Sequence, residues 1–200
     1  MIQILIKGGV LMIPILFCSI FALTIIIERS IVLYRARVVT RDFIERVKRV
    51  LKKDRRIEVI SLCDATQSPL AKILKAGVLL LDKGKEEVKE AMEMAGRNAV
   101  LSLERNLNGL AIIAHISPLL GLLGTVVGMI RAFMEVERLG GAVNVSSLAG
   151  GIWEALITTA SGLVVAIPAI IFYHYFVNKV SNFVNELEAH SQEFVNILLE

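Results

Sequence analysis

The chain has 200 residues, 55% of them hydrophobic, with a mean hydropathy of +0.66 and a formal net charge of +3. Soluble chains of this size rarely carry long charge-free runs, so the composition excludes an ordinary soluble domain and points to a multi-span membrane protein. The net charge is small, but seventeen of the 22 Lys and Arg lie between Arg35 and Arg105, and that placement carries the information.

Residues 8 to 27, GGVLMIPILFCSIFALTIII, form the first charge-free run, which stops at Glu28 and Arg29. The run is longer than the apolar region of a cleavable signal and has no small-residue cleavage site, so it reads as a retained span from about residue 9 to 33. Phe17 before Cys18 also argues against a lipoprotein site. Cys18 in this run and Cys63 in the basic segment do not suggest a disulfide framework.

The next segment, residues 34 to 56, carries ten Lys or Arg against three acids. Basic residues flanking a span mark the cytoplasmic side. Few aromatics and helical spacing at Phe43, Val47, Val50 and Leu51 favour a helix whose basic face meets lipid headgroups or solvent over a nucleic-acid patch. From Glu58 to Arg105 the pattern predicts amphipathic helices, with a break at Ser68-Pro69 and another after Gly84. Glu86, Glu87 and Glu90 near the start of the last helix, with Arg97 and Arg105 near its end, suit its dipole. The segment has no nucleotide loop, no Cys/His metal spacing and no Ser/His/Asp set, so no catalytic residue, metal site or cofactor is expected.

Asn106 to Ile130 is the second charge-free run. On a helical wheel centred on Thr125, the residues Ala114, Pro118, Gly121, Gly128 and Ala132 fall within about 60° of it. Ile112, Ile116, Leu119, Leu123, Val126 and Ile130 fall opposite. One face suits lipid and the other suits close helix packing. His115 lies off the small-residue line and is not expected to relay protons. Glu135 to Ala149 has one basic residue and is expected outside the cytoplasm.

The third run is part of GIWEALITTASGLVVAIPAIIFYHYF, residues 151 to 176, with no charged side chain from Ala155 through Asn178. A helix needs only about 20 such residues to cross ~30 Å of hydrocarbon. Glu154, Thr158 and Ser161 share one side of it, beside a line of small residues, Ala155, Thr159, Gly162 and Ala166. Ser and Thr in such helices often bond back to the carbonyl one turn earlier, which is the plain reading of these hydroxyls. An acid at the membrane boundary is costly enough to suggest function, although a helix N-terminus also favours a carboxylate. After Phe176 the apolar spacing of Val180, Phe183, Val184, Leu187, Phe194 and Ile197 continues the helix.

The pattern therefore predicts an all-α multi-pass membrane protein. Its parts are a first transmembrane helix in 1–34, a cytoplasmic helical region in 35–105 and a second transmembrane helix in 106–134. A periplasmic connector in 135–150, a third transmembrane helix in 151–176 and a cytoplasmic C-terminal helix in 177–200 complete it. The amino terminus is then periplasmic.

The stretches PLLGLLGTVVGM and GIWEALITTASGLVVAIPAIIFYHYF, in this order and after one span and a large basic loop, resemble the MotA/TolQ/ExbB proton-channel family, in its ExbB/TolQ branch. The resemblance covers roughly residues 70 to 185. It implies a homopentameric ring whose second and third spans line a pore, with single-span ExbD/TolR-type partner helices inside and a TonB- or TolA-type protein beyond. The partner's aspartate would take the proton, and proton flow would turn one component against the other. Carried over to this sequence, the resemblance makes Thr125 and Thr159 the pore threonines and Glu154 the third-span glutamate. Thr158 joins them on the polar side, and Gly121, Gly128, Gly162 and Ala166 serve packing. His174 departs from the asparagine common in the family, and the fourth span of flagellar members is missing. A passive oligomeric scaffold would explain the glycines but not Glu154. A solute transporter would show internal repeats, and none is found. No nucleic-acid partner is expected.

Overall fold

The computed structural model describes residues 8–36, 41–51, 55–66, 68–139 and 145–199. Among these residues it is all helical: α1 (Met12–Ala36), α2 (Arg41–Leu51), α3 (Arg56–Asp64), α4 (Pro69–Leu79), α5 (Lys85–Glu104), α6 (Leu107–Arg138) and α7 (Val145–Leu199). Among the described residues, three stretches are long and apolar enough to cross a membrane, in Met12–Ala36, in Lys85–Arg138 and in Leu148–Val195. This is a multi-pass membrane protein.

The chain forms two compact units, one from Met1–Ile27 with Asn106–Tyr175 and the other from Glu28–Arg105 with Phe176–Glu200. The second unit is built on large aliphatic side chains. Val47 of α2, Val59 and Cys63 of α3, Leu70, Ile73 and Leu74 of α4, Val88 and Met92 of α5, and Leu187 and Phe194 of α7 share one core. The helix starts are set locally. Ser68 accepts from the Leu70 N–H at 3.2 Å with Pro69 in the first turn of α4, so the break expected at Ser68-Pro69 is a capped helix start. Gly84 precedes α5 at φ +118, a conformation a side chain would resist.

Two residues separate α5 from α6. Arg105 is extended and Asn106 is left-handed at φ 63, a region Asn tolerates better than most residues. The end of α5 is held by Arg29 of α1, whose Nη1 donates to the Ser102 and Leu103 carbonyls at 3.1 and 3.3 Å, while Nη2 pairs with Glu28 at 2.8 Å. Arg29 is only 3% exposed. A cation on the last carbonyls of a helix satisfies orphan acceptors and meets the negative end of the dipole. Charge counting along the chain saw Glu28 and Arg29 only as the end of an apolar run, since the carbonyls that Arg29 meets lie more than seventy residues away.

The helices reach further than the apolar runs. α6 continues to Arg138 and α7 begins at Val145, so both ends of the expected 135–150 connector are helical. Residues 140–144, its middle, lie outside the described residues, as do 37–40 and 52–54 of the basic segment. α7 runs through Phe176 to Leu199 as one helix of 55 residues.

Candidate functional site: the glycine seam between α6 and α7

In the first unit, α6 and α7 meet backbone to backbone. A Cβ placed on Gly121 would sit 3.0 Å from the Thr158 carbonyl oxygen and from the Thr159 Cα. One on Gly162 would sit 2.5 Å from the Ser117 carbonyl and 3.1 Å from the Gly121 Cα, and one on Gly128 would sit 2.9 Å from the Gly151 carbonyl. Any side chain at these positions would push the helices apart. Ala166, one turn beyond Gly162, is buried in the same line.

The buried residues of α6 are Leu107 and Leu110 in its first turns and then a stripe of small ones, Ala114, Ser117, Gly121, Gly124, Gly128 and Ala132. The wheel centred on Thr125 is therefore turned in the structure: Thr125 and Pro118 are half-buried at the edge of the stripe, and Gly124 and Ser117 take the middle. The reason is steric. Residues with substituents beyond Cα cannot occupy the line of closest approach when bare glycines are available.

The hydroxyls divide by this geometry. Thr159 Oγ1 donates across the seam to the Gly121 carbonyl at 3.0 Å. Thr158 fills the notch beside Gly124, and its hydroxyl bonds back to the carbonyls of Glu154 and Ala155 at 3.0 and 2.9 Å. Thr125 Oγ1 also bonds back, to the Leu122 carbonyl at 2.6 Å, and borders an open apolar concavity with Val126, Met129, Ile130 and Phe133. Thr125 and Thr158 thus make the local bond common to membrane threonines, while Thr159 joins the two helices. Ser117 Oγ, fully buried against α7, has no protein hydrogen-bond partner.

Glu154 is ion-paired. Arg131 Nη1 of α6 donates to Glu154 Oε1 at 2.6 Å, with the carboxylate side chain 18% exposed and the arginine 50% exposed. Gly9, left-handed at φ +68, lies against the same carboxylate. Sequence reasoning missed Arg131, reading it as the end of the charge-free run. The available signal was its place three residues after Gly128, on the flank of the small-residue line, with Glu154 as the single acid at the facing end of the next span. No group of three or more His, Cys, Asp or Glu able to hold a metal occurs among the described residues.

A helical membrane protein with a close-packed pair of apolar helices, flanked by aligned hydroxyls and an ion-paired carboxylate, is the class that this fold and site define. Residues 65–189 match the family model described as the MotA/TolQ/ExbB proton channel family. A protein named biopolymer transport protein ExbB-like 1 from Synechocystis sp. is 35% identical over 200 residues, spanning 97% of this chain and 77% of that protein. A second from the same organism, ExbB-like 3, is 32% identical over 171 residues, spanning 84% and 81%. The Tol-Pal system protein TolQ of Haemophilus influenzae is 41% identical over 106 residues, 53% of this chain and 44% of that protein. The chain belongs to the MotA/TolQ/ExbB proton channel family, in its ExbB/TolQ branch.

Proposed function

We propose that this chain is the channel-forming subunit of an inner-membrane complex that couples the proton motive force to work at the outer membrane. Its role is ExbB-like, in TonB-dependent import, or TolQ-like, in envelope integrity. In this reading five copies form a ring, and α6 and α7 of each copy line a pore that holds single-span ExbD/TolR-type helices. A TonB- or TolA-type protein carries the output. The basic region 35–105 and the C-terminal helix lie in the cytoplasm, and the amino terminus and residues 135–150 lie in the periplasm. Thr125, Thr158, Thr159 and Glu154 belong to the proton pathway, and Gly121, Gly128, Gly162 and Ala166 bring the helices together.

The observation that carries this reading is the seam itself, which falls inside the family match and sets Thr159 and Glu154 on a rigid, closely packed helix pair. A rigid pair can hold polar groups in place while a partner helix moves past them. The driving force is sufficient, since one charge crossing 100 mV releases about 2.3 kcal/mol. The test is co-reconstitution with the single-span partner in vesicles under an imposed potential, with proton uptake read by an internal pH dye. Flux that is lost in Glu154→Gln and in Thr125→Val/Thr159→Val, with the ring intact, supports the channel. Normal flux in both variants removes these residues from the pathway, and no flux in the unmodified complex leaves the passive scaffold as the better reading.

A further inference from the structure

We infer that Arg131 is a positioning residue for Glu154: it holds the carboxylate as half of a fixed ion pair, and the bare backbone of Gly9 forms the stop behind it. What the pair serves rests on the proposed channel function. The pair itself rests on geometry alone.

Three elements meet at this carboxylate. α7 supplies Glu154, α6 supplies Arg131, and the turn before α1 supplies Gly9. The Nη1–Oε1 distance of 2.6 Å is that of a charge-assisted hydrogen bond. The acid is the covered partner and the arginine the open one, so the long side chain reaches in from a more exposed position to a carboxylate that is mostly closed off. A carboxylate at the end of a membrane span is expensive when alone and far less so when paired. The other basic side chain of α6, Arg138, pairs with Glu135 at 2.9 Å, one turn along the same helix.

Gly9 is required twice. Its φ of +68 is left-handed, and a Cβ there would land on Glu154 Oε1 and within 3.4 Å of Arg131 Nη1. A methyl at position 9 would therefore displace the carboxylate without touching either charge. Glu154 lies one turn before Thr158, whose hydroxyl bonds to its carbonyl. The pair thus fixes the carboxylate at the end of the helix that also carries Thr159.

The pair is tested with charged thiol reagents on the full chain carrying Cys18→Ala, Cys63→Ala and Glu154→Cys, assembled with its partner. With Arg131 in place, an anionic methanethiosulfonate should react faster than a cationic one. Arg131→Gln should lower that rate ratio by about tenfold, the effect of one nearby charge acting oppositely on the two reagents, while Arg131→Lys should largely keep it. An unchanged ratio in Arg131→Gln overturns the pairing. In the otherwise native chain, proton flux should fall in Arg131→Gln to the level of Glu154→Gln, and Arg131→Lys should retain most of it. If Glu154→Gln blocks flux and Arg131→Gln conducts normally, the positioning role is overturned and the channel reading stands. If Glu154→Gln itself conducts normally, the channel role of Glu154 fails, whatever the labelling shows. Should Arg131→Gln not assemble, Gly9→Ala keeps both charges and carries the test: lost flux supports the inference, and normal flux overturns it.

Discussion

The two units of this chain are both helical and pack by opposite rules. Along the seam the residues turned inward are small, such as Ala114, Gly121, Gly128, Ala155 and Gly162, and large side chains such as Leu119, Leu156 and Val164 are turned out, while Ile15 and Leu110 are buried elsewhere in the same unit. In the unit of Glu28–Arg105 and Phe176–Glu200, Leu70, Ile73, Leu74, Phe176 and Phe194 are inside, and Lys and Glu cover the surface. On the proposed topology the difference follows from the solvent. Water drives large apolar groups into a core at about 25 cal/mol per Å². Lipid gives them no such drive, so helices there associate through close backbone approach and a few polar bonds. One unit should therefore break when a residue becomes larger, and the other when a residue becomes smaller.

The largest expected effect is at the seam. Gly162→Leu or Gly121→Leu forces a side chain into the backbone of the facing helix, and the proposed ring should be lost in native mass spectrometry. In the other unit the damaging direction reverses. Leu74→Ala or Phe194→Ala removes fully buried atoms and should cost about 2–5 kcal/mol in chemical unfolding. A seam that accepts leucine, or a core that loses Leu74 without penalty, would break the comparison.

Smaller effects sharpen it. Thr159→Val removes the bond to the Gly121 carbonyl and should cost about 1 kcal/mol of stability. On the proposed pathway it should depress proton flux more than Thr159→Ser does. The reverse order would make position 159 a packing site like its glycine neighbours.

Cys63 reports on the core from another side. Burial, reinforced by the charge of Asp64 and partly offset by Lys75, pushes its thiol up from 9.0 to about 11. The unfolded chain then ionises first, so this contribution to stability is intact below pH 9 and falls as the pH rises from 9 toward 11. Unfolding midpoints measured across that range should drop, and Cys63→Ala should flatten the decline. The smallest effect belongs to the surface pair of Lys48 and Glu193, 2.5 Å apart and partly exposed. Lys48 lowers the Glu193 carboxyl below its usual range through their hydrogen bond, so the pair helps fully above that range and stops helping as the pH falls below it through the lowered value. Lys48→Ala should change stability by no more than about 1 kcal/mol.

Local pattern alone decided much of this molecule. Charge-free length marks spans whatever surrounds them, because hydrocarbon excludes charge along the whole run. That is why the three spans, the amphipathic helices after Glu58, the starts at Ser68-Pro69 and Gly84, and the small-residue character of Gly121, Gly128 and Gly162 could all be read before any packing was known. Helical period could not say which small residues sit on the line of contact. Gly124 and Ser117 hold that line because the facing helix comes too close for the substituents of Thr125 and Pro118. Nor could it pair distant charges. Arg131 with Glu154, and Arg29 with the last carbonyls of α5, are joined only when folding sets separate helices side by side. Spans and periods arise from neighbours in the chain, whereas an ion pair needs two distant residues whose meeting is chosen by the tertiary packing.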